Sequence, residues 1–351
     1  MCQTFVDLFG LRMFVSCIGF VGNMFLIVSI FKTKVSNIKS FELFLLGLAS
    51  ANLEEIAIIN IYDVDILETF STTSTWVCRL LKFMTTFGEI ASIFFTVVIS
   101  IYRYQKLRDI NSRGSLPICL DSIISAWMLS GVCVMISTLL SLPMFVISVQ
   151  GSVENMTENL GSCSTDFFHC GENYCPTRNQ VYKYLIMLLC HLLPLIIVTI
   201  TSCLTITVLL KKRNTVTPQN GVRYPNHHSG ESHGLHRSTV AVVAAMGLFQ
   251  VDWSLYLILQ WTFSLSDCPI WSEIEFFIST SYVSISPYVY GIGSHFGVHR
   301  SVDGSSAAWL SASICQFVFM FEEFTEARLG DREDAQQLES RRGRYLSTAA
   351  V

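Results

Sequence analysis

Ionisable side chains interrupt several apolar stretches of this sequence, and their types predict what chemistry those stretches can do. Glu89 and Arg103 lie 14 residues apart in one stretch, which is about 21 Å along a helix and nearly the same helical face. Asp252 and His191 lie in two other stretches. A carboxylate in an apolar setting favours a cation or a hydrogen-bond donor, whereas an arginine can exchange one partner for another when helices move.

Each of these residues also has a purely structural explanation. A protonated carboxyl of Glu89 or Asp252 can hydrogen-bond to a neighbouring helix, and Arg103 can extend its charge to a membrane surface. His191 is more simply explained as a satisfied polar residue near a helix end. The aromatic residues near these groups either line an apolar pocket or belong to the packed core: Trp253, Tyr256 and Tyr282.

The sequence gives no support for catalysis or metal binding. It contains no H-E-x-x-H motif and no recognisable pair of intramembrane aspartates, so we predict no enzyme and no catalytic residue. Cys163, Cys170 and Cys175 lack the C-x-x-C pair that zinc sites favour, so we predict no metal and no cofactor. A net charge of −4 gives no reason to expect a nucleic-acid partner.

The composition predicts that lipid surrounds these residues. Only 14% of residues are charged, against about 25% in soluble domains, and the mean hydropathy is +0.48. A helix needs about 20 apolar residues to cross the hydrocarbon core. Seven segments reach that length and are numbered spans 1 to 7: residues 11–31, 41–61, 80–101, 116–146, 184–210, 239–263 and 273–296. We therefore predict an all-α membrane protein with a seven-transmembrane helix bundle.

Spans 2 and 7 are the weakest of the seven. Span 2 holds Glu54 and Glu55, and span 7 is rich in serine, so hydropathy alone can miss either one. Asn52 and Glu55 share a helical face, whereas Glu54 points elsewhere. We expect these polar residues of span 2 to form an interhelical network rather than a ligand site.

Basic residues predict the orientation of the spans. Most of them lie at or after the ends of spans 1, 3 and 5: Lys32, Lys34, Lys39, Arg103, Lys106, Arg108, Arg113, Lys211, Lys212, Arg213, Arg223 and Arg237. The loops after spans 2 and 6 together hold only Arg79. We therefore expect a multi-pass protein of the plasma membrane, in contact with its lipids, with the N-terminus outside the cell.

The loop between spans 4 and 5 is long and is predicted to lie outside the cell. An oxidising compartment favours disulfides, so we predict a bond from Cys78, just before span 3, to Cys163, Cys170 or Cys175 in this loop. Which of the three pairs with Cys78 stays open. Asn155 begins a glycosylation sequon in the same loop, so we predict that it carries a glycan.

Short motifs resemble the landmarks of rhodopsin-like G-protein-coupled receptors, in order and at the right spacing. They are Gly22-Asn23 in span 1, LASANL at 48–53 in span 2, Cys78 and IYRY at 101–104 in span 3, Trp127 in span 4, Pro194 in span 5, and SPYVY at 286–290 in span 7. The resemblance implies a rhodopsin-like bundle that signals through a heterotrimeric G protein. It further implies a switch made of Arg103 and Tyr102 with Pro287 and Tyr290.

Two longer runs are similar to those of fish olfactory receptors related to class A, which are relatives of the mammalian vomeronasal type 1 receptors. The runs are IYRYQKLRD at 101–109 and HRSTVAV at 236–242. This resemblance covers roughly residues 10–300 and implies a receptor for a small odorant or pheromone, coupled to a G protein of the inhibitory class. The ligand is expected among spans 3, 5, 6 and 7, with these candidate residues: Glu89, Asp252, His191, Trp253, Tyr256 and Tyr282.

Departures from the family pattern leave alternatives open. Asn52 replaces the usual aspartate, so we expect no sodium site, and Ser286 replaces the usual asparagine before Pro287. Span 6 lacks the Cys-Trp-x-Pro bend. A bitter-taste receptor, another rhodopsin-like receptor and a transporter remain the alternatives, although a transporter predicts internal repeats that we do not find.

Three regions follow from this interpretation. Residues 1–10 are the extracellular N-terminus, residues 11–300 the seven-transmembrane receptor domain, and residues 301–351 a cytoplasmic tail. The tail is either partly disordered or an inaccurate gene-model terminus. Its apolar stretch, residues 307–321, breaks sharply in composition from what precedes it and could instead form an amphipathic helix lying on the membrane.

Carboxylates in the ligand site favour a cationic ligand, whereas His191 suits an acid.

Overall fold

The computed structural model describes residues 2–32, 38–68, 75–111, 121–147, 177–215, 229–262 and 271–293, and nearly all of them are helical. The helices are α1 Cys2–Lys32, α2 Ser40–Glu68, α3 Thr75–Asn111, α4 Ile123–Ser141, α5 Pro143–Ile147, α6 Thr177–Ile186, α7 Leu193–Thr215, α8 Ser229–Thr262 and α9 Trp271–Gly293. A π-helical turn, Met187–Leu192, joins α6 to α7. All these residues lie within one compact unit, Met1–Phe296. The predicted tail, residues 301–351, lies outside the described residues.

The prediction of a seven-helix bundle is confirmed. Spans 1, 2, 3, 6 and 7 are α1, α2, α3, α8 and α9, while span 4 is α4 with α5, and span 5 is α6, the π turn and α7. Six of the described helical segments are long and apolar enough to cross a membrane. Span 2 is among them in spite of its glutamates. Span 7 is the helix Trp271–Gly293.

Several helices are longer than the apolar segments that predicted them. The first begins at Cys2 rather than residue 11, and the sixth span begins at Ser229 rather than residue 239. Hydropathy reports where lipid must be crossed, whereas a helix continues until a cap, proline or glycine ends it. The predicted segment ends at 116–120, 263 and 294–296 lie outside the described residues.

Span 3 is the central helix of the bundle. It packs against spans 2, 4, 5 and 6, and span 1 packs against spans 2 and 7. Of the six apolar spans, span 3 is the most buried and span 4 the least. Span 4 exposes large apolar side chains, as a lipid-facing helix does: Ile124, Trp127, Met128, Met135 and Leu139.

A buried hydrogen-bond network joins spans 1, 2, 3 and 7. Asn52 donates to Asn23 Oδ1 at 3.1 Å and to Ser286 Oγ at 3.5 Å. Ser92 donates to Asn52 Oδ1 at 2.7 Å. Asn52 and Ser286 both depart from the family pattern, and they are hydrogen-bonded to each other. A neutral amide and a hydroxyl therefore satisfy the contacts between these helices.

Candidate functional site

Four of the predicted ligand residues lie together between spans 3, 5 and 6. His191 Nε2 lies 3.9 Å from Glu89 Oε1. The centroid of the His191 ring lies 4.6 Å from that of Trp253 and 5.0 Å from that of Tyr256. We name Glu89, His191, Trp253 and Tyr256 the His191 cluster. It combines an acid, an imidazole and two large aromatic faces, which is a set of groups that can bind a small polar molecule.

The π turn in span 5 positions His191. Pro194 has no backbone N–H to donate, and just before it the N–H of Leu193 bonds to the carbonyl of Leu188, five residues back. The turn buries both Cys190 and His191. Pro194 thus lies directly after a turn wider than that of an ordinary α-helix. Such turns occur frequently at functional sites.

His191 lies in the π turn inside span 5, where only one of its two ring nitrogens faces a partner among the described residues. The residue is only 3% exposed, and its Nδ1 atom has no hydrogen-bond partner among the described residues. The indole N–H of Trp253 is likewise buried without a hydrogen-bond acceptor in the described part of the chain. Buried polar atoms without partners cost free energy. These two atoms therefore mark a place where a bound molecule can supply the hydrogen bonds that the protein does not.

Asp252 and Tyr282 make a different set of contacts. Asp252 accepts a hydrogen bond from Ser281 Oγ of span 7 at 3.0 Å. The hydroxyl of Tyr282 lies 2.6 Å from Thr96 Oγ1. Both residues are buried, Asp252 at 8% and Tyr282 at 1% exposure. They join span 7 to spans 6 and 3, whereas the His191 cluster lies between spans 3, 5 and 6.

Glu55 of span 2 lies within electrostatic range of Glu89, and Glu54 lies against Gly88, the residue before Glu89. Glu55 is 2% exposed, accepts a hydrogen bond from Ser279 Oγ at 3.1 Å, and interacts electrostatically with Glu54 and Glu89. Gly88 allows this approach, because a Cβ atom there would collide with a carboxylate oxygen of Glu54. Carboxylates this close in a low-dielectric interior favour a cation or shared protons. In the sequence, the only sign of these carboxylates was a pair of acidic residues inside an apolar span.

Arg103 lies at the other end of span 3, and we call this end of the bundle the Arg103 end. It is 7% exposed, which argues against an arginine that extends its charge to the membrane surface. Its guanidinium carbon lies 3.4 Å from the centroid of the Phe41 ring in span 2. Tyr290 of span 7 is close enough to interact with Arg103 electrostatically. Pro287 lies within the same helix as Tyr290.

Tyr102 bonds to Asp121, which lies just before α4. The Tyr102 hydroxyl donates to Asp121 Oδ1 at 2.9 Å, and Lys106 Nζ donates to Asp121 Oδ2 at 2.6 Å. Burial alone would raise the pKa of Asp121, but these hydrogen bonds and the charges of Lys106 and Lys39 outweigh it and lower the pKa. A lowered pKa keeps the carboxylate charged at neutral pH, and its stabilising effect is lost only as the pH falls through that value.

Aromatic rings connect the His191 cluster to span 7. The ring centroids of Trp253 and Phe249 lie 6.1 Å apart, and those of Phe249 and Tyr282 lie 5.4 Å apart, edge to face. Tyr282 contacts Thr96 of span 3. If Trp253 moves, Phe249 of span 6 and Tyr282 of span 7, which packs on Thr96 of span 3, must therefore move or repack.

Several predicted features fall on residues that are not described. Cys163, Cys170, Cys175 and Asn155 lie outside the described residues, and the side chain of Cys78 is not described either. The disulfide and the glycan therefore stay predictions. Within the described helices, no group of His, Cys, Asp and Glu is arranged to hold a metal ion.

Comparison with known proteins gives two findings. Residues 22–289 match the family model of the seven-transmembrane receptors of the rhodopsin family. The gonadotropin-releasing hormone receptor of Octopus vulgaris is 26% identical over 312 residues, which cover 82% of this chain and 71% of that receptor. Neither finding concerns olfactory or vomeronasal type 1 receptors, so that finer resemblance stays a prediction.

Proposed function

The chain belongs to the rhodopsin family of seven-transmembrane receptors, and from that premise we propose that it is a chemosensory receptor of the plasma membrane. It is a receptor and not an enzyme. A small external odorant or pheromone binds at the His191 cluster and favours the active arrangement of the helices. At the Arg103 end, this arrangement promotes nucleotide exchange on a heterotrimeric G protein of the inhibitory class.

The observation that carries the proposal is the His191 cluster itself. Two of its polar atoms, His191 Nδ1 and Trp253 Nε1, are buried without hydrogen-bond partners among the described residues. A ligand that supplies these bonds stabilises one position of Trp253. Trp253 packs on Phe249, and Phe249 packs on Tyr282, so a change in the position of Trp253 reaches span 7 by direct contact.

The carboxylates near the cluster favour a ligand with a cationic group. Glu89 faces His191 at 3.9 Å, and Glu54 and Glu55 lie within electrostatic range of one another. A protonated amine placed beside Glu89 would offset the repulsion among these acids. Odorants or pheromones with an amine are therefore the first class to test.

Glu89→Gln is expected to raise the half-maximal concentration of an active amine at least about tenfold, because removing one charge of a buried pair costs about 1.4 kcal/mol or more. The measurement is G-protein activation in cells that express the receptor and are given a panel of amines, acids and neutral odorants. Glu42→Gln is the matched control, since it makes the same change near the Arg103 end. Equal responses from Glu89→Gln and the parent receptor would remove Glu89 from the site.

A second candidate is a receptor for a hormone. The observation in its favour is the similarity to the octopus gonadotropin-releasing hormone receptor, which extends over most of both chains. The same cells can be given gonadotropin-releasing hormone beside the odorant panel. A response to the hormone, with none to any odorant, would favour this candidate over the chemosensory one.

The proposed orientation predicts that Asn155 carries a glycan. Treatment with an N-glycosidase is expected to increase the gel mobility of the receptor, and Asn155→Gln is expected to abolish that change. Asn60→Gln serves as a control, because Asn60 lies inside span 2 and outside any sequon. An unchanged mobility in the parent receptor would contradict both the glycan and the evidence that it offers for an extracellular loop.

A further inference from the structure

Phe41, near the beginning of span 2, contacts the guanidinium of Arg103. The Arg103 Cζ atom lies 3.4 Å from the centroid of the Phe41 ring. The face of an aromatic ring carries negative charge and attracts a cation, most strongly where water is excluded. Arg103 is only 7% exposed, so water screens this contact little.

The Phe41 ring is fixed in place by its surroundings. The ring of Tyr102 stacks on it with 6.0 Å between centroids and 18° between planes. Tyr102 in turn donates a hydrogen bond to Asp121 Oδ1 at 2.9 Å. Ser40, the residue before Phe41, donates to the main-chain oxygen of Asp121, also at 2.9 Å. Asp121 therefore bonds to the residues on both sides of the Phe41 ring.

Asp121 uses both of its carboxylate oxygens in this arrangement. Tyr102 bonds to Oδ1, and Lys106 bonds to Oδ2 at 2.6 Å. Asp121 is thus engaged by Tyr102 and Lys106, while the guanidinium of Arg103 lies over the face of the Phe41 ring. Spans 2, 3 and 4 meet through these side chains.

We propose that the Phe41 ring holds Arg103 in the resting receptor, and that Tyr102 and Asp121 position that ring. The inference rests on the proposed G-protein function. On activation the guanidinium leaves the ring, which frees its charge for the G protein. Phe41 is a positioning residue in this scheme, because it acts through Arg103.

Phe41→Leu is expected to raise ligand-independent nucleotide exchange per receptor at the cell surface by roughly twofold to thirtyfold, the range that a cation–π contact can supply. Phe41→Trp presents a better aromatic face and is expected to return the basal rate to the parent level or below it. A purely structural defect would lower the signal instead of raising it. Phe25→Leu is the matched control, since Phe25 is 64% exposed on span 1.

A double-mutant cycle tests the contact without any G protein. The thermal unfolding of purified Phe41→Leu, Arg103→Gln and the double variant is compared with that of the parent. A non-additive effect is expected, and additive effects would refute the contact. If the effects are non-additive but Phe41→Leu leaves the basal rate of nucleotide exchange unchanged in a receptor that is activated by its ligand, the holding role is refuted. A receptor silent in every signalling assay would refute the proposed function instead, while the cycle still decides the contact.

Discussion

Arg103→Ala is expected to lower ligand-stimulated G-protein activation at least about tenfold, which corresponds to about 1.4 kcal/mol of lost coupling, while the receptor still reaches the cell surface. Arg103 is a buried cation between Phe41 of span 2 and Tyr290 of span 7. A guanidinium with donors in several directions can exchange such partners when the helices move. Alanine removes both the resting contact and the charge that the active state presents.

The control for this prediction is another arginine of the same helix. Arg108 is exposed near the end of span 3, so Arg108→Ala removes the same charge without disturbing a buried contact. We expect its signalling to stay within about threefold of the parent, because exposed charges contribute little. Normal signalling by Arg103→Ala at matched surface density would show that the switch lies elsewhere. An equal loss in both variants would point to a general effect of positive charge.

The number of membrane spans could be predicted because it depends only on the lengths of apolar runs along the sequence. The thickness of the hydrocarbon core sets a length, and runs of apolar residues either reach it or do not. Span 7 is the instructive case, since it is helical from Trp271 to Gly293 and yet its serines lower its hydropathy. Its length identified it, although its serines made it one of the two weakest segments.

Depth alone could not predict which polar groups meet. Glu89, Asp252 and His191 were assigned to one site as ionisable groups inside apolar spans. The rotation of each helix decides the outcome: Asp252 faces Ser281 of span 7, and Glu89 faces His191 of span 5. The packing of neighbouring helices sets that rotation, and a single sequence does not contain it in readable form.

The local geometry of the backbone could not be predicted from the sequence either. Pro194 predicts a bend in span 5, but the π turn before it determines that His191 is buried. Phe41 carried no signal either, because a phenylalanine in an apolar segment is the most ordinary of residues. Its importance depends on Arg103 lying directly over its ring, which is a contact between two helices.

Gly88→Leu is expected to destabilise the receptor by about 1–3 kcal/mol or more, since the added side chain has no space between spans 2 and 3. A Cβ atom at Gly88 would lie 3.1 Å from Glu55 Cβ and 3.2 Å from the Glu55 backbone nitrogen. A backbone atom cannot turn aside as a flexible side chain can, so the two helices must move apart. The measurement is the thermal unfolding of the detergent-purified protein, together with its amount at the cell surface.

Gly131→Leu separates this effect from the general consequence of replacing a helical glycine. Nothing lies within 4 Å of a Cβ built at Gly131 on span 4, and leucine favours a helix by up to about 1 kcal/mol over glycine. This variant is therefore expected to be as stable as the parent or more so. If Gly88→Leu unfolds at the same temperature as Gly131→Leu, spans 2 and 3 do not approach as closely as described. Glu54 and Glu55 would then lie farther from Glu89, and the case for a cationic ligand would weaken with them.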